Sequence, residues 1–400
     1  MDFFKRAEQI KEEIISNRRY FHENAEVGLH MPIAVDYVMK KLGEYGIEAE
    51  KCGHGVCAIL GRGEKVLLLR ADMDALPMKE ESGLEFASKT EAAHACGHDL
   101  HAAMLLAVAR MLKENESELC GRVKFMFQPA EENLLGAKDM IEAGILESPK
   151  PDAALAVHVA AGKIPVGTYM YNKKSTMMMS SNSFRIDIKG KGGHGAYPGL
   201  AISPINIGVD ICTKINNLTK EAMADGKSFI TIGRFSSGTV SNIIPEEAII
   251  EGSLRSKDND VRLKQLEQIY EIAENTAKNA GGQATITILS DVPPLVCDTG
   301  FTGEIVQMIE DMNKTGMFIG GEQRQGFLKA VSDMEANASD DFACIAEKIP
   351  AAYIYLSAGF DDERGDFTAH NSRVIFDENV CVIGAALMAE CAMKWLVLGK

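Results

Sequence analysis

Histidine is scarce in this chain, nine in 400 residues, so its placement carries information. Three of the nine, His94, His98 and His101, share the eight-residue segment HACGHDLH with Cys96. Thiolate and imidazole are preferred ligands of zinc and related borderline cations. The segment has no apolar periodicity of its own and stands before a helical pattern, so a polar helix cap with an incidental cysteine is the competing reading. A second signal is VKFMFQPAEE at 123–132, where an apolar strand runs into Glu131 and Glu132, read as opening a helix. Adjacent carboxylates suit divided labour, one binding metal and the other free as a base. The competing reading is acidic residues placed in a first helical turn by the helix dipole. Third, His158 ends a strand otherwise built of Ala, Leu and Val, where it needs a partner or is a ligand. Fourth, RADMDALP at 70–77 sets Asp72 and Asp74 directly after a strand, where carboxylates could orient ligand histidines through the second ring nitrogen. Fifth, His370 stands in the run Thr368-Ala369-His370-Asn371, on a turn before a helix.

These residues acquire meaning from the elements that carry them. Helices are expected at about 3–24, 32–46, 98–114 and 132–144, with strands at Val66–Leu69, Val123–Phe127 and Ala153–Val159. Strands separated by helices imply a parallel sheet with crossover connections. In such a sheet ligands collect outside the carboxyl ends of the strands, so Asp72, Glu131, His158 and His370 can converge with Cys96 and His98 on one edge. From about residue 183 the texture changes to β-α-β-β-α-β, the split βαβ or ferredoxin-like order. Its strands are expected at Ser183–Ile188, Ser228–Gly233, Ala248–Leu254 and Ala284–Leu289, its helices near 203–218 and 258–279. The original texture returns after Pro293–Pro294, with helices near 302–313 and 377–396 and a strand at Ala351–Leu356. The expected organisation is an α/β domain, 1–182 plus 293–400, interrupted by an α+β domain at 183–292.

Bulk properties bound the function. Four hundred residues exceed what one core usually serves. A net charge of −15 argues against nucleic acid or an anionic membrane as partner, because both call for concentrated Lys and Arg. The amphipathic start, MDFFKRAEQIKEEI, reads as a helix and not a signal peptide, and no apolar run reads as a membrane span. Nine scattered cysteines do not form a disulfide framework, and a reducing cytoplasm is expected. Neither phosphate-binding glycine pattern, G-x-x-x-x-G-K-[ST] or a strand-linked G-x-G-x-x-G, is present.

At the residues singled out above the chain resembles the dinuclear-metal aminoacylase/carboxypeptidase metallohydrolases. It is most similar to the branch holding hippurate hydrolases, N-acyl-amino-acid amidohydrolases and plant auxin-conjugate hydrolases. The matching stretches run in order: RRYFHENAEVGLH at 18–30, LLLRADMDALPMKEESG at 67–83, HACGHDLHAAMLLAVA at 94–109 and FMFQPAEE at 125–132. HV at 158–159, GKGGHGAYP at 190–198, SNIIP at 241–245, GSLRS at 252–256, DDFACIAEKIPAAYIYLSAG at 340–359 and AHN at 369–371 complete the series. The resemblance implies a zinc-exopeptidase-like catalytic domain with an inserted ferredoxin-like lid and dimerisation domain. It implies two divalent metals, zinc or manganese with cobalt or nickel as options, held by Cys96, His98, Glu132, His158 and His370. Glu131 would be the general acid/base, and lid-borne His194 would steady the developing oxyanion. Asn242 and Arg255 match lid positions that face the substrate; a surface arginine at a strand end is the other reading of Arg255. The implied reaction is hydrolysis of the amide of an N-acyl or aminoacyl amino acid by a homodimer. Alternatives are a dipeptidase or carboxypeptidase using the same centre, or a relative that binds metal without turnover. The chain departs from the family pattern at Ala160-Ala161-Gly162, at Gly199, in SSGTVSN at 236–242 and at Asp340–Asp341, departures that the resemblance implies could reshape the acyl or amino-acid pocket.

Overall fold

Apolar strands flanked by helices need a covering layer on each face, and the chain supplies it in two places. The computed structural model describes residues 1–224 and 226–398. The chain divides into two compact units: Met1–Met177, Val296–Glu335 and Cys344–Lys400 form the first, Met178–Leu295 and Ala336–Ala343 the second. Residues 336–343, which the sequence places with the first domain, group with the second. There the Met179 N–H donates to the Ala338 carbonyl at 3.0 Å and Met178 bridges Ala336.

The first unit begins with α1 (Phe3–Gln9), α2 (Lys11–Glu23) and α3 (Pro32–Glu44). The sequence predicts one helix over 3–24; the structure breaks it at Ile10, whose φ of −106° and ψ of 14° are not helical. The break lets Phe3, Phe4 and Ala7 of α1 and Ile14 and Phe21 of α2 join one core. Strands β1 (Ala49–Cys52), β2 (Gly55–Gly61), β3 (Val66–Asp72), β4 (Arg122–Gln128), β5 (Ala153–Pro165) and β6 (Thr168–Met170) belong to an eight-stranded sheet. Its order is β1-β2-β4-β3-β5, then Ala351–Gly359, β6 and Lys329–Val331. Strand β3 runs parallel to both β4 and β5, and β5 runs parallel to the strand Ala351–Gly359. Strand β2 is antiparallel to both β1 and β4. Every residue of β3 is buried: the apolar run Val66–Leu69 fits a doubly covered parallel strand, and Arg70 and Asp72 at its carboxyl end are buried as an ion pair.

Helix α4 (His98–Glu114) is buried from His98 to Ala109 and packs against β3 and β5 on one side and α2 on another. The C-terminal helix Asn379–Val397 has the length and apolarity of a membrane span. Seventy-eight percent of that stretch is buried, and residues such as Val380, Ile383, Leu387 and Trp395 belong to the core. Its apolarity is that of a core helix.

In the second unit, strands Ser228–Ser237, Glu247–Ser256, Ser181–Lys189 and Gln283–Val292 form an antiparallel sheet in that order. Helices Pro204–Ala224 and Asn259–Asn279 lie against it through Ile207, Ile211, Ile215, Ile269 and Ala273, which share a core with Phe184, Ile186 and Ile250. The β-α-β-β-α-β order is the ferredoxin-like one. The α/β class with a mixed, centrally parallel sheet and an α+β insertion is thus the observed architecture.

Candidate metal centre

Strand ends and a helix start bring the candidate residues of the first unit together. His98 is the first residue of α4, after Gly97 at φ +91°. A Cβ at Gly97 would lie 2.4 Å from Val159 Cγ2, so only glycine lets this turn pass β5. Asp72 ends β3, and His158 lies within β5, opposite Tyr355 of the neighbouring strand.

Glu131 and Glu132 follow β4 but do not open a helix as the sequence predicts; the next helix is Gly136–Glu142. Ala130 and Leu134 have φ of +53° and +57°, and the intervening residues form a turn. Asp74 holds that turn by accepting the N–H groups of Glu131 and Glu132 at 3.0 Å each. Left-handed backbone at non-glycine residues costs about 1–3 kcal/mol and persists where its surroundings dictate it. His370 is a third case, with φ +67°, its N–H donated to the Ala95 carbonyl at 2.9 Å.

The donor atoms converge. One ligand atom each of Cys96, Glu132 and His370 lie within 4.8 Å of one another, as do those of His98, Glu131 and Glu132. His370 Nε2 is 3.4 Å from Glu132 Oε1, and Cys96 Sγ is 3.7 Å from His158 Nε2. A third group joins Asp72, His98, His101 and His158. His101 is nevertheless spent: its Nε2 accepts the Val159 N–H at 2.8 Å, and its Nδ1 faces Asp72 Oδ1 at 2.5 Å. With Nε2 an acceptor, the proton sits on Nδ1 and is donated to Asp72.

Asp72 and Asp74 therefore divide differently from the expectation. Asp74 Oδ1 lies 3.3 Å from His98 Nδ1 and so orients that ring, leaving Nε2 toward the other donors. Asp72 serves His101 and pairs with Arg70 at 2.6 Å; it approaches His98 only on Nε2, at 3.6 Å. His158 is oriented without a carboxylate, its Nδ1 donating to the Val159 carbonyl at 2.7 Å.

Burial dominates the electrostatics. It pushes the Cys96 thiol up to about 12 and holds His158 well below the ordinary histidine value. Burial also opposes charge on His98, but Asp72, Cys96 and Asp74 together hold that ring well above its usual value. Buried side-chain atoms that make no conventional hydrogen bond among the described residues include His98 Nε2 and Glu132 Oε1, the latter approached by His370 Nε2 at 3.4 Å. Unsatisfied buried polar atoms are rare and call for an explanation. Two of them aimed into a set of thiol, imidazole and carboxylate donors fit a bound cation.

His194, Asn242 and Arg255 lie in the second unit. His194 is exposed on a two-stranded ladder, paired with Ile243, and its Nδ1 accepts the Ala196 N–H at 3.0 Å. The Asn242 carbonyl accepts the Gly195 N–H at 2.9 Å, which ties that residue to the His194 segment. Arg255 is half-buried in Glu247–Ser256, pairs with no carboxylate among the described residues, and has its pKa lowered by burial.

Beside the centre lies a buried network around His22, which the sequence does not point to as a site residue. Arg18 Nε lies 2.6 Å from Asp99 Oδ2, which His22 Nδ1 also meets at 2.8 Å; His22 Nε2 faces Glu80 Oε1 at 3.0 Å. The signal available in sequence was an Arg18/His22 pair four residues apart on the face of α2 that also carries Ile14 and Phe21. Burial disfavours the Glu80 carboxylate, but hydrogen bonds and the charge of His22 hold it down to about 2. A carboxyl held below its unfolded value stabilises the fold above about pH 4.5 and ceases to do so as pH falls through 2. The melting temperature of the wild type should exceed that of Glu80→Gln at neutral pH by the equivalent of about 2 kcal/mol. The gap should close between about pH 4.5 and 2; a constant gap would show that Glu80 is not ionised in the fold.

Comparison with known proteins adds the family context. Residues 68–394 match the model of peptidase family M20/M25/M40. The chain is 33% identical over 398 residues to thermostable carboxypeptidase 2 of Saccharolobus solfataricus, covering 97% of this chain and 96% of that one. It is 34% identical over 387 residues to the hippurate hydrolase of Campylobacter jejuni, covering 95% of each. Among solved structures, a dinuclear metal-binding M20 peptidase of Bacillus subtilis superposes with a TM-score of 0.77 at 29% identity, over 97% of this chain and 99% of that one.

Proposed function

We propose, from the premise that this chain belongs to peptidase family M20/M25/M40 and is a metal-dependent amide hydrolase, that its centre is built from Cys96, His98, Glu132, His158 and His370. The observation that carries the proposal is the convergence of a thiol, imidazoles and carboxylates, with one donor atom of each residue in a group within 4.8 Å of the others, around buried His98 Nε2 and Glu132 Oε1. Two divalent cations bound there, zinc or manganese, would polarise the scissile carbonyl and acidify a water.

The chain's own residues do the rest. Glu131, which is not needed as a ligand, takes the proton of the attacking water and passes it to the leaving nitrogen as the C–N bond breaks and the new C–O bond remains. Asp74 sets the place from which it acts, by holding its backbone N–H. His194 uses Nδ1 as an acceptor, so its Nε2 carries the proton and can donate to a developing oxyanion. Arg255, half-buried and without a carboxylate partner among the described residues, suits the free carboxylate of an amino acid, with Asn242 as a further polar contact.

The substrates we propose are N-acyl or aminoacyl amino acids, released as a carboxylic acid and an amino acid. The hippurate hydrolase supports an acyl amide; the carboxypeptidase supports a peptide as the second reading. We place the enzyme in the cytoplasm as a homodimer whose inserted unit, 183–292, serves as lid and contact surface. Assays of N-acetyl and N-benzoyl amino acids beside dipeptides, with elemental analysis of the same protein, test the reading. Wild type should carry two cations per chain, and turnover of acyl amides should exceed that of dipeptides. Cys96→Ala should lose at least one cation and about a hundredfold in kcat; full occupancy in that variant would remove Cys96 from the ligand set.

A further inference from the structure

The network under α2 has no part in the chemistry above, yet two hydrogen-bond chains lead from it to two proposed ligands. On one side, His22 Nδ1 meets Asp99, the residue after His98 in the first turn of α4. On the other, His22 Nε2 meets Glu80, whose Oε2 accepts the Ser88 N–H at 2.7 Å and whose Oε1 also takes the Ser82 hydroxyl. Glu80 thereby pins the segment after β3 onto α2. The next residue carries the linkage on: the Glu81 N–H donates to the Ser372 carbonyl, and the Ser372 hydroxyl donates to the Glu81 carboxylate, each at 2.7 Å. Ser372 is two residues from His370, which is more than half exposed and left-handed.

The charges balance where the chain cannot solvate them. Arg18 and His22 are 1% and 3% exposed and Asp99 is fully buried. Two carboxylates flank His22, one at each ring nitrogen, so its imidazolium form donates to both. Arg18 faces Asp99 and, at 3.2 Å, Glu378. Removing one member of such a set leaves a buried charge unpaired, so the set is kept as a unit or not at all. Arg18 and Arg19 also lie over the Phe86 ring, at 4.7 and 4.4 Å, and close the same segment down.

We infer that His22 is a positioning residue of this hydrolase: through Asp99 and through Glu80, Glu81 and Ser372 it sets the relative placement of His98 and His370, two ligands 272 positions apart. The inference rests on the proposed metal centre. Its role differs from that of Asp74, which touches a ligand ring directly; His22 touches none and acts on the backbone that bears them. Outer partners of metal ligands typically carry about 10- to 100-fold in metal affinity.

The test uses full-length wild type, His22→Gln and Glu80→Gln, each titrated with Co²⁺ and with Zn²⁺ against a competing chelator. Dissociation constants, the visible absorption of the cobalt-loaded protein, kcat and KM for one N-acyl amino acid, and melting temperatures are measured together. Both variants should weaken cation binding by about 10- to 100-fold. They should also alter the cobalt spectrum and lower kcat with little change in KM. Should His22→Gln fail to fold, Glu80→Gln decides alone, because it cuts only the arm to His370. Folded variants with wild-type dissociation constants and cobalt spectra overturn the inference, however far their melting temperatures fall. A wild type that binds no cation in the same titration overturns the metal centre itself, which separates the two failures.

Discussion

Glu131→Gln is expected to lower kcat by between about a hundredfold and ten-thousandfold while the protein keeps its full metal content. The substitution preserves volume and hydrogen-bonding length but removes the site that accepts a proton. Glu131 is 6% exposed and its Oε2 lies 3.9 Å from His98 Nε2, the same separation as that of Glu132 Oε1 from that nitrogen. Distance alone would admit either carboxylate as ligand or base. The assignment turns on His370, which pairs with Glu132 at 3.4 Å and groups with it and Cys96. Steady-state kinetics with elemental analysis of one preparation decides the matter. A variant that loses metal together with activity makes Glu131 a ligand.

Asp74→Asn should be nearly as damaging, by another route. The wild-type carboxylate accepts three donors: the Glu131 and Glu132 N–H groups on separate oxygens, and His98 Nδ1–H. An amide of the same shape has one oxygen and presents N–H to N–H at the second. Hydrogen bonds to a charged group contribute about 1.5–3 kcal/mol each, and a buried donor left without its acceptor costs about as much. The turn that carries both glutamates, with left-handed residues at either end, then has less to hold it. Metal affinity should fall about 10- to 100-fold and kcat with it, with KM changed less. Chelator competition and kinetics on the folded variant check this; wild-type affinity would mean that the turn holds itself.

Residue type carried much of this centre into view. Cysteine and histidine packed into HACGHDLH, paired glutamates after an apolar strand, and a histidine in another are local facts, readable because strand and helix periods are local. The same holds for the change of texture near residue 183 and for the β-α-β-β-α-β order that follows it. The convergence of Asp72, Glu131 and His370 needed only a parallel sheet and the rule that such strands end on a common edge, whereas His158, expected to end its strand, lies within β5, which runs on to Pro165.

What periodicity could not reach was which atom meets which. The helix expected over 132–144 starts at Gly136, because left-handed backbone at Ala130 and Leu134 interrupts it, in a turn that Asp74, 57 positions before Glu131, holds in place. His101 stands among the proposed ligands by spacing, but the Val159 N–H occupies its second nitrogen. His22 looks like one more histidine on an amphipathic helix until Asp99 and Glu80 are seen at its two nitrogens, 77 and 58 positions away. The chain by itself determined which elements form and which chemical groups they offer. Only packing decided tautomers, partners and the division of labour between like carboxylates, since those depend on contacts a few ångströms long between segments with no repeat relating them.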